Sequence, residues 1–371
     1  MKVAVFSAKP YDKKYLAAAA PSQFELTYHD VALTPKTAAL LSDGEADALC
    51  AFVNDQLPAE VLDSLYAKGV RAILMRCAGF NNVDIGRAEK LGMFVAHVPA
   101  YSPEAVAEFA VALVQTINRK THRAYMRVRE GNFALDGLLG RTLHGKTVGL
   151  IGTGRIGIAF ARIMKGYGCR LLAYDPYPSK AFEEYGEYTT LEDLIPQSDI
   201  ISLHCPLTEQ TRHIISSDTL ALLRPGAIMV NTSRGGLVDT RAAIEALKSR
   251  KLGGLALDVY EGEGALFYDD HSGDIIQDDE LMRLMTFPNV VVCGHQAFFT
   301  EEALTEIAEC TMRNLEDFAS GRECKHALVK GRHADAPKPV EEEEAAEEGD
   351  ATTVPDRRPI ARRDSLPVRT V

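Results

Sequence analysis

At 371 residues the chain is longer than one hydrophobic core usually supports, so two domains are the starting expectation. Hydrophobic residues at 46% and charged residues at 25% fit a globular protein, and no apolar run approaches the roughly 18 residues that a membrane-spanning helix needs. A net charge of -11 excludes a general binder of nucleic acid or of anionic membrane, either of which needs a basic face.

The opening MKVAVFSAKPYDKK carries neither a signal-peptide apolar region nor a small-residue cleavage site, so a cytoplasmic location is expected. From there short β-branched or aliphatic runs alternate with helical patterns. VAVFS (3–7), FELTYH (24–29), ALCAFV (48–53), RAILMR (71–76) and FVAHV (94–98) read as strands, with helical segments such as 58–68 and 84–91 between them. That alternation predicts βαβ units and a parallel sheet within the first 100 residues.

A long helix is predicted from Ser102 to Glu130, with Ser102 as N-cap, Pro103 in the first turn and apolar residues at helical spacing (Val106, Phe109, Ala110, Leu113, Ile117). A second series of strands follows: TVGLIG (147–152), RLLAYD (170–175), DIISLHC (199–205), AIMVNT (227–232), LALDVY (255–260) and NVVVCGH (289–295). These runs are continuous rather than alternating, as strands covered on both faces should be. A closing helix starts near Thr300, with Leu304, Ile307, Ala308, Leu315 and Phe318 on one face. Residues 331–371 hold a glutamate run and then a basic stretch with few large apolar side chains, and are expected to form a disordered charged tail.

Gly152, Gly154 and Gly157 form G-x-G-x-x-G after a predicted strand and before an amphipathic helix (158–166), the context in which the pattern binds a dinucleotide. The first glycine allows the tight turn, the second lets backbone approach a pyrophosphate, and the third packs helix on strand. Asp175 ends the next strand, where a carboxylate accepts ribose hydroxyls and repels a 2′-phosphate. NAD is therefore expected rather than NADP.

Reducing the keto group of a 2-keto acid requires a proton donor and a cation for the carboxylate. Arg234 in NTSRGG and His295 in VCGHQAFF each follow a continuous apolar strand, where open α/β sheets bind ligands. A guanidinium can grip a carboxylate with two hydrogen bonds; a histidine needs a carboxylate to fix its tautomer. Glu261 and Glu263 in DVYEGE are both candidates, and periodicity does not separate them.

Seven cysteines (50, 77, 169, 205, 293, 310 and 324) include no CxxC and no Cys/His pair at zinc spacing, so neither disulfides nor a metal site is expected. Cys77 and Cys293, near the site by sequence, read as small buried thiols, because hydride transfer needs no nucleophile.

With GTGRIG, Asp175, NTSRGG, DVYEGE and GHQAFFTEEA in place, the chain resembles the D-isomer-specific 2-hydroxyacid dehydrogenases over about residues 1–330, most of all their fermentative, NAD-dependent D-lactate subgroup. RCAGFNNVD (76–84), VPAYSPEAVAEFA (98–110) and ISLHCPLT (201–208) strengthen the likeness. It implies two doubly wound parallel-sheet domains, with a Rossmann NAD domain (101–298) inserted into a flavodoxin-like substrate domain (1–100 plus 299–330).

The resemblance further implies that Arg234 binds carboxylate and polarises the keto group, that His295 exchanges the proton, and that Glu263 rather than Glu261 pairs with it. It places Ala78 and Gly79 backbone at the carboxylate and Tyr101 and Phe299 around the pocket. On the cofactor it implies Arg155 and Ile156 at the pyrophosphate, Cys205, Pro206 and Thr211 along the groove, Thr232 and Ser233 beside it, and Asp258 at the nicotinamide amide.

The segment between Glu263 and His295 matches the lactate subgroup in length, which points to pyruvate reduced to D-lactate with NADH. Another 2-keto acid (glyoxylate, hydroxypyruvate or phenylpyruvate) or an NAD-sensing scaffold of corepressor type are the alternatives. A homodimer through the cofactor domain, or a homotetramer, is the implied assembly.

Overall fold

The structure, a computed structural model, describes residues 1–331. From residue 332 onward the expected disordered tail lies outside the described residues. The first half runs β1 (Lys2–Val5), α1 (Pro10–Ala19), β2 (Glu25–Tyr28), β3 (Ala48–Ala51), α2 (Ala59–Ala67), β4 (Ala72–Met75), α3 (Ile85–Leu91), β5 (Phe94–Ala96), α4 (Pro103–Arg119) and α5 (Thr121–Arg129). The second continues through β6 (Thr147–Ile151), α6 (Arg155–Gly166), β7 (Arg170–Tyr174), α7 (Lys180–Glu183), β8 (Glu187–Tyr188), α8 (Leu191–Gln197), β9 (Ile200–Leu203), α9 (Ser217–Ala221) and β10 (Ala227–Asn231). It ends with α10 (Thr240–Lys248), β11 (Leu252–Leu257), α11 (Asp279–Met285), β12 (Val290–Val292), α12 (Glu301–Ala319) and β13 (Ala327–Lys330).

Two doubly wound sheets result. The seven-stranded sheet, in order β12-β11-β10-β9-β6-β7-β8, is parallel throughout. Its winding reverses between β6 and β9, and such a switch point opens a crevice at the carboxyl ends of the strands. The six-stranded sheet has the order β13-β5-β4-β3-β1-β2. Its strands are parallel except β13, which pairs antiparallel with β5.

The two sheets divide the helices by apolar face. α4 buries Ala107, Ala110, Val114 and Ile117 with Phe160 of α6 against the seven-stranded sheet. Phe160 is fully enclosed, which contributes about 2 kcal/mol at the usual return per buried aromatic. α12 instead buries Leu304, Ile307 and Cys310 on one side and Ala308, Met312 and Leu315 on another, all among first-sheet residues. The chain thus crosses to the second sheet through α4 and returns through the segment before α12.

The predicted helix from Ser102 starts as expected: the Ser102 hydroxyl accepts the Ala105 amide at 3.2 Å and Pro103 occupies the first turn. It does not run unbroken to Glu130. Lys120 takes a left-handed conformation (φ 52°), which interrupts the i to i−4 ladder after Arg119. The separate α5 buries none of its residues, and Tyr125, Met126, Val128, Phe133, Leu135 and Leu139 are exposed in and after it. Among the described residues no helix is long and apolar enough to cross a membrane.

Candidate active site

The glycine loop follows β6 directly. Gly152 has φ +103°, and a Cβ there would lie 2.6 Å from the His204 backbone carbon, so the turn and the neighbouring strand end both exclude a side chain. Gly157 packs as closely, with its Cβ position 2.3 Å from the Gly152 carbonyl. Gly154, the N-cap of α6, makes no side-chain capping bond, and its Cβ position faces open space. A cavity of about 250 Å³ lies there, lined by Ala78, Pro99, Ala100, Tyr101, Ser102, Pro103, Gly154, Arg155, Ile156 and His204. Burial holds the His204 ring neutral, with its pKa lowered to about 3.

Asp175, just past β7, anchors this loop. Its Oδ2 accepts the Thr153 amide at 2.7 Å and the Thr153 hydroxyl at 2.9 Å, and Oδ1 accepts the Tyr177 amide at 2.9 Å. On the opposite wall, the ends of β9 and β10 are tied by the Ser233 hydroxyl donating to the Cys205 carbonyl at 2.6 Å. The Thr211 hydroxyl donates to Pro206 O at 2.6 Å and so closes the loop after β9. The Thr232 hydroxyl is enclosed with no partner within the protein.

Arg234 leaves β10 in extended conformation, fixed by Asn231 Nδ2 donating to its carbonyl at 2.8 Å and by its own Nη1 donating to Ser233 O at 2.7 Å. Its Nη2 reaches the other sheet: a Cβ on Gly79 would sit 2.7 Å from it, so a side chain at 79 would displace the guanidinium from this position. Neighbouring Ala78 is held by its carbonyl accepting from His97 Nδ1 at 2.9 Å.

His295 follows β12 with φ 54°, a left-handed turn imposed from below by Asp258. The Asp258 carbonyl accepts the His295 amide at 2.8 Å, and its carboxylate accepts the amides of Gln296 (2.8 Å) and Ala297 (3.0 Å). Burial pushes the Asp258 carboxyl above the ordinary range, opposed by those two amides. His295 Nδ1 donates to Glu263 Oε1 at 2.9 Å, and Glu263 Oε2 accepts the Tyr260 amide at 2.8 Å. Glu261 faces away and pairs with Arg212 at 2.5 Å and His213 at 3.1 Å. Geometry therefore separates the two glutamates that periodicity left equal.

Arg234 and His295 meet at a cavity of about 30 Å³ lined also by Phe52, Val53, Arg76, Cys77, Ala78, Gly79, Tyr101, Tyr268, Phe298 and Ile307. Burial raises the Tyr101 phenol and the Cys77 thiol to about 12, so both are neutral.

One expected residue is misplaced. Phe299 is 49% exposed and meets Tyr11 edge-on at 4.8 Å, while Phe298 lines the cavity in its stead. The Asp258 clamp on Ala297 and the turn from Phe299 N to Gln296 O fix the direction of these two side chains, a one-residue offset that sequence spacing does not resolve.

Residues 111–297 match the family model of the D-isomer specific 2-hydroxyacid dehydrogenase NAD binding domain. The chain belongs to the D-isomer specific 2-hydroxyacid dehydrogenases. It is 65% identical over 341 residues to 2-hydroxyacid dehydrogenase A of Aspergillus oryzae, covering 91% of this chain and 98% of that one. The apo-structure of D-lactate dehydrogenase from Escherichia coli is similar at TM-score 0.81 and 50% identity, over 89% of this chain and 100% of that one. The pyruvate reductase of Chlamydomonas reinhardtii is similar at TM-score 0.82 and 41% identity, over 87% and 97%.

As a member of this family the chain is an NAD-dependent oxidoreductase. The residues present fit that cofactor: open space over Gly154 at the start of α6, a carboxylate at the end of β7, and an unpartnered Thr232 hydroxyl just past β10. The small cavity also contains groups to which the motifs assign no role. Arg76 is 1% exposed, paired with Asp12 at 3.0 Å and set 4.8 Å over the Phe52 ring. A charged residue closing the apolar strand RAILMR was its signal in the sequence. Phe52 and Tyr268 carried none, since aromatic residues beside a strand end or within an insert are ordinary.

Proposed function

We propose that this dehydrogenase reduces pyruvate to D-lactate with NADH, and that the reaction is reversible. The observation that carries the reading is the convergence of Arg234, the Gly79 backbone and the Glu263-paired His295 on one small cavity walled by Phe52, Tyr101, Tyr268 and Phe298. Relatives named D-lactate dehydrogenase and pyruvate reductase agree with it.

In this reading residues 1–100 with 299–330 bind substrate, and residues 101–298 bind cofactor. Arg234 grips the carboxylate and polarises the keto oxygen, with the Ala78 and Gly79 backbone beside it. When bound, NADH would supply the hydride for the reduction, and NAD would accept it in the reverse direction. With Nδ1 committed to Glu263, His295 presents Nε2, which gives its proton to the keto oxygen as the hydride reaches the carbon. In the reverse direction the same nitrogen takes the hydroxyl proton. Glu263 fixes the tautomer and balances the charge of the imidazolium.

Tyr101 and Phe298 wall the site. Gly152, Gly154, Arg155, Ile156 and Gly157 hold the pyrophosphate and Asp175 the ribose; Cys205, Pro206, Thr211, Thr232 and Ser233 form the far side of the groove, and Asp258 lies by the nicotinamide amide. The exposed apolar residues from Tyr125 to Leu139 support a homodimer through the cofactor domain, which light scattering tests.

NADH oxidation rates across pyruvate, glyoxylate, hydroxypyruvate and phenylpyruvate test the assignment. Pyruvate should rank first; a bulky keto acid ranking above it, or binding of NADH with no turnover of any of the four, refutes the reading.

A further inference from the structure

The wall of the small cavity is made from both sheets, and one part of it comes from an unexpected place. Tyr268 lies in the segment between β11 and α11, which belongs to the seven-stranded sheet, yet its ring packs on the core of the six-stranded one. It meets Phe52 edge-on at 5.1 Å, and Phe52 in turn lies 6.0 Å from Phe298. On its other side it lies 5.7 Å from the His295 ring. The aromatic wall is thus continuous from Phe298 through Phe52 and Tyr268 to the histidine.

Two local features fix that placement. Tyr268 has φ 76°, a left-handed conformation that a bulky residue adopts only when its surroundings hold it. The next residue, Asp269, reaches across to Lys9 at the start of α1 with an Oδ1 to Nζ distance of 2.7 Å. The Tyr268 hydroxyl is enclosed and has no hydrogen-bond partner. No side-chain hydrogen bond within the protein therefore holds the residue, and its ring contacts with Phe52 and His295 account for its position.

We propose that Tyr268 determines specificity by closing the side-chain end of the substrate cavity, so that only 2-keto acids with a very short apolar side chain fit against Phe52 and His295. The inference rests on reading the cavity as the keto-acid site, and adds that its size is set by the insert of the cofactor-binding half rather than by the substrate-binding half alone. An open end should accept branched and aromatic keto acids, since a pocket of this kind discriminates through the volume that it denies.

The test compares the full-length wild type with Tyr268→Ala, Tyr268→Leu and Tyr268→Phe, each first shown to bind NADH by fluorescence titration. The readout is kcat/KM for 4-methyl-2-oxopentanoate and for phenylpyruvate, each divided by that for pyruvate. Tyr268→Ala and Tyr268→Leu should raise both ratios by about tenfold or more, the discrimination that a methylene or two commands in an apolar pocket. Tyr268→Phe should keep the wild-type ratios and melt no lower than wild type. Unchanged ratios in active Ala and Leu variants, or ratios raised equally by Tyr268→Phe, overturn the inference while leaving the pyruvate reading intact. A wild type that reduces none of the three acids overturns that reading and this inference with it.

Discussion

Glu263 grips His295 from behind: one carboxylate oxygen accepts a hydrogen bond from Nδ1 at 2.9 Å while the other accepts the Tyr260 amide at 2.8 Å. The carboxylate cannot swing without losing one of the two bonds. Glu263→Gln keeps the shape and removes the charge, and His295→Ala removes the ring. In steady-state assays with pyruvate each should lower kcat by about a hundredfold or more, with the alanine variant the slower. NADH affinity, read by fluorescence titration, should change little in either. Wild-type turnover in His295→Ala would rule out the proposed proton donor.

Arg234 lies against a backbone with no side chain, its Nη2 close to where a Gly79 Cβ would stand. Lysine at 234 keeps the positive charge but not the planar pair of donors, so Arg234→Lys should both raise KM for pyruvate and lower kcat, with kcat/KM down about a hundredfold. Loss confined to kcat, with KM unmoved, would contradict a role in binding the carboxylate.

Asp175 accepts two bonds from Thr153 and one from Tyr177, so its removal should loosen the glycine loop as well as the proposed ribose site. Asp175→Ala should lower kcat/KM with NADH and raise the relative use of NADPH. The ratio of the two cofactors' kcat/KM values measures the effect directly, and an unchanged ratio counts against the ribose contact.

The thiols around the site are poor nucleophiles. Burial pushes Cys77 up to about 12 and Cys205 and Cys293 up to about 11, so at pH 8 on the order of one Cys77 in ten thousand is thiolate. Because only the thiolate reacts, iodoacetamide should inactivate the enzyme slowly at pH 8, and faster as the pH rises toward those values. Rapid inactivation at pH 7, with Cys77 alkylated by peptide mapping, would contradict this account.

What could be read in advance depended on whether a residue acts through local pattern or through long-range packing. The glycine loop, Arg234 and His295 sit at fixed offsets from apolar strands, and the structure places them at the carboxyl ends of β6, β10 and β12. Glu261 and Glu263 share one short loop that periodicity does not resolve; the family likeness implies Glu263, and it is a contact 32 residues away, to His295, that separates them by geometry. Phe298 and Phe299 differ by one position, and the Asp258 clamp that aims them comes from another strand. Strand β13 has little local signal, because it pairs with a strand more than two hundred residues earlier and is only four residues long. The break at Lys120 rests on one left-handed residue, with neither Gly nor Pro beside it to mark the interruption.

Stereochemistry is the most direct test of the central claim, since it depends at once on Arg234, His295 and the bound cofactor holding one face of the keto group toward the hydride. Pyruvate should be reduced with NADH by the purified full-length chain and the lactate resolved on a chiral column. The account predicts D-lactate alone, formed in step with NADH loss. L-lactate, a racemate, or NADH binding without any lactate would contradict it.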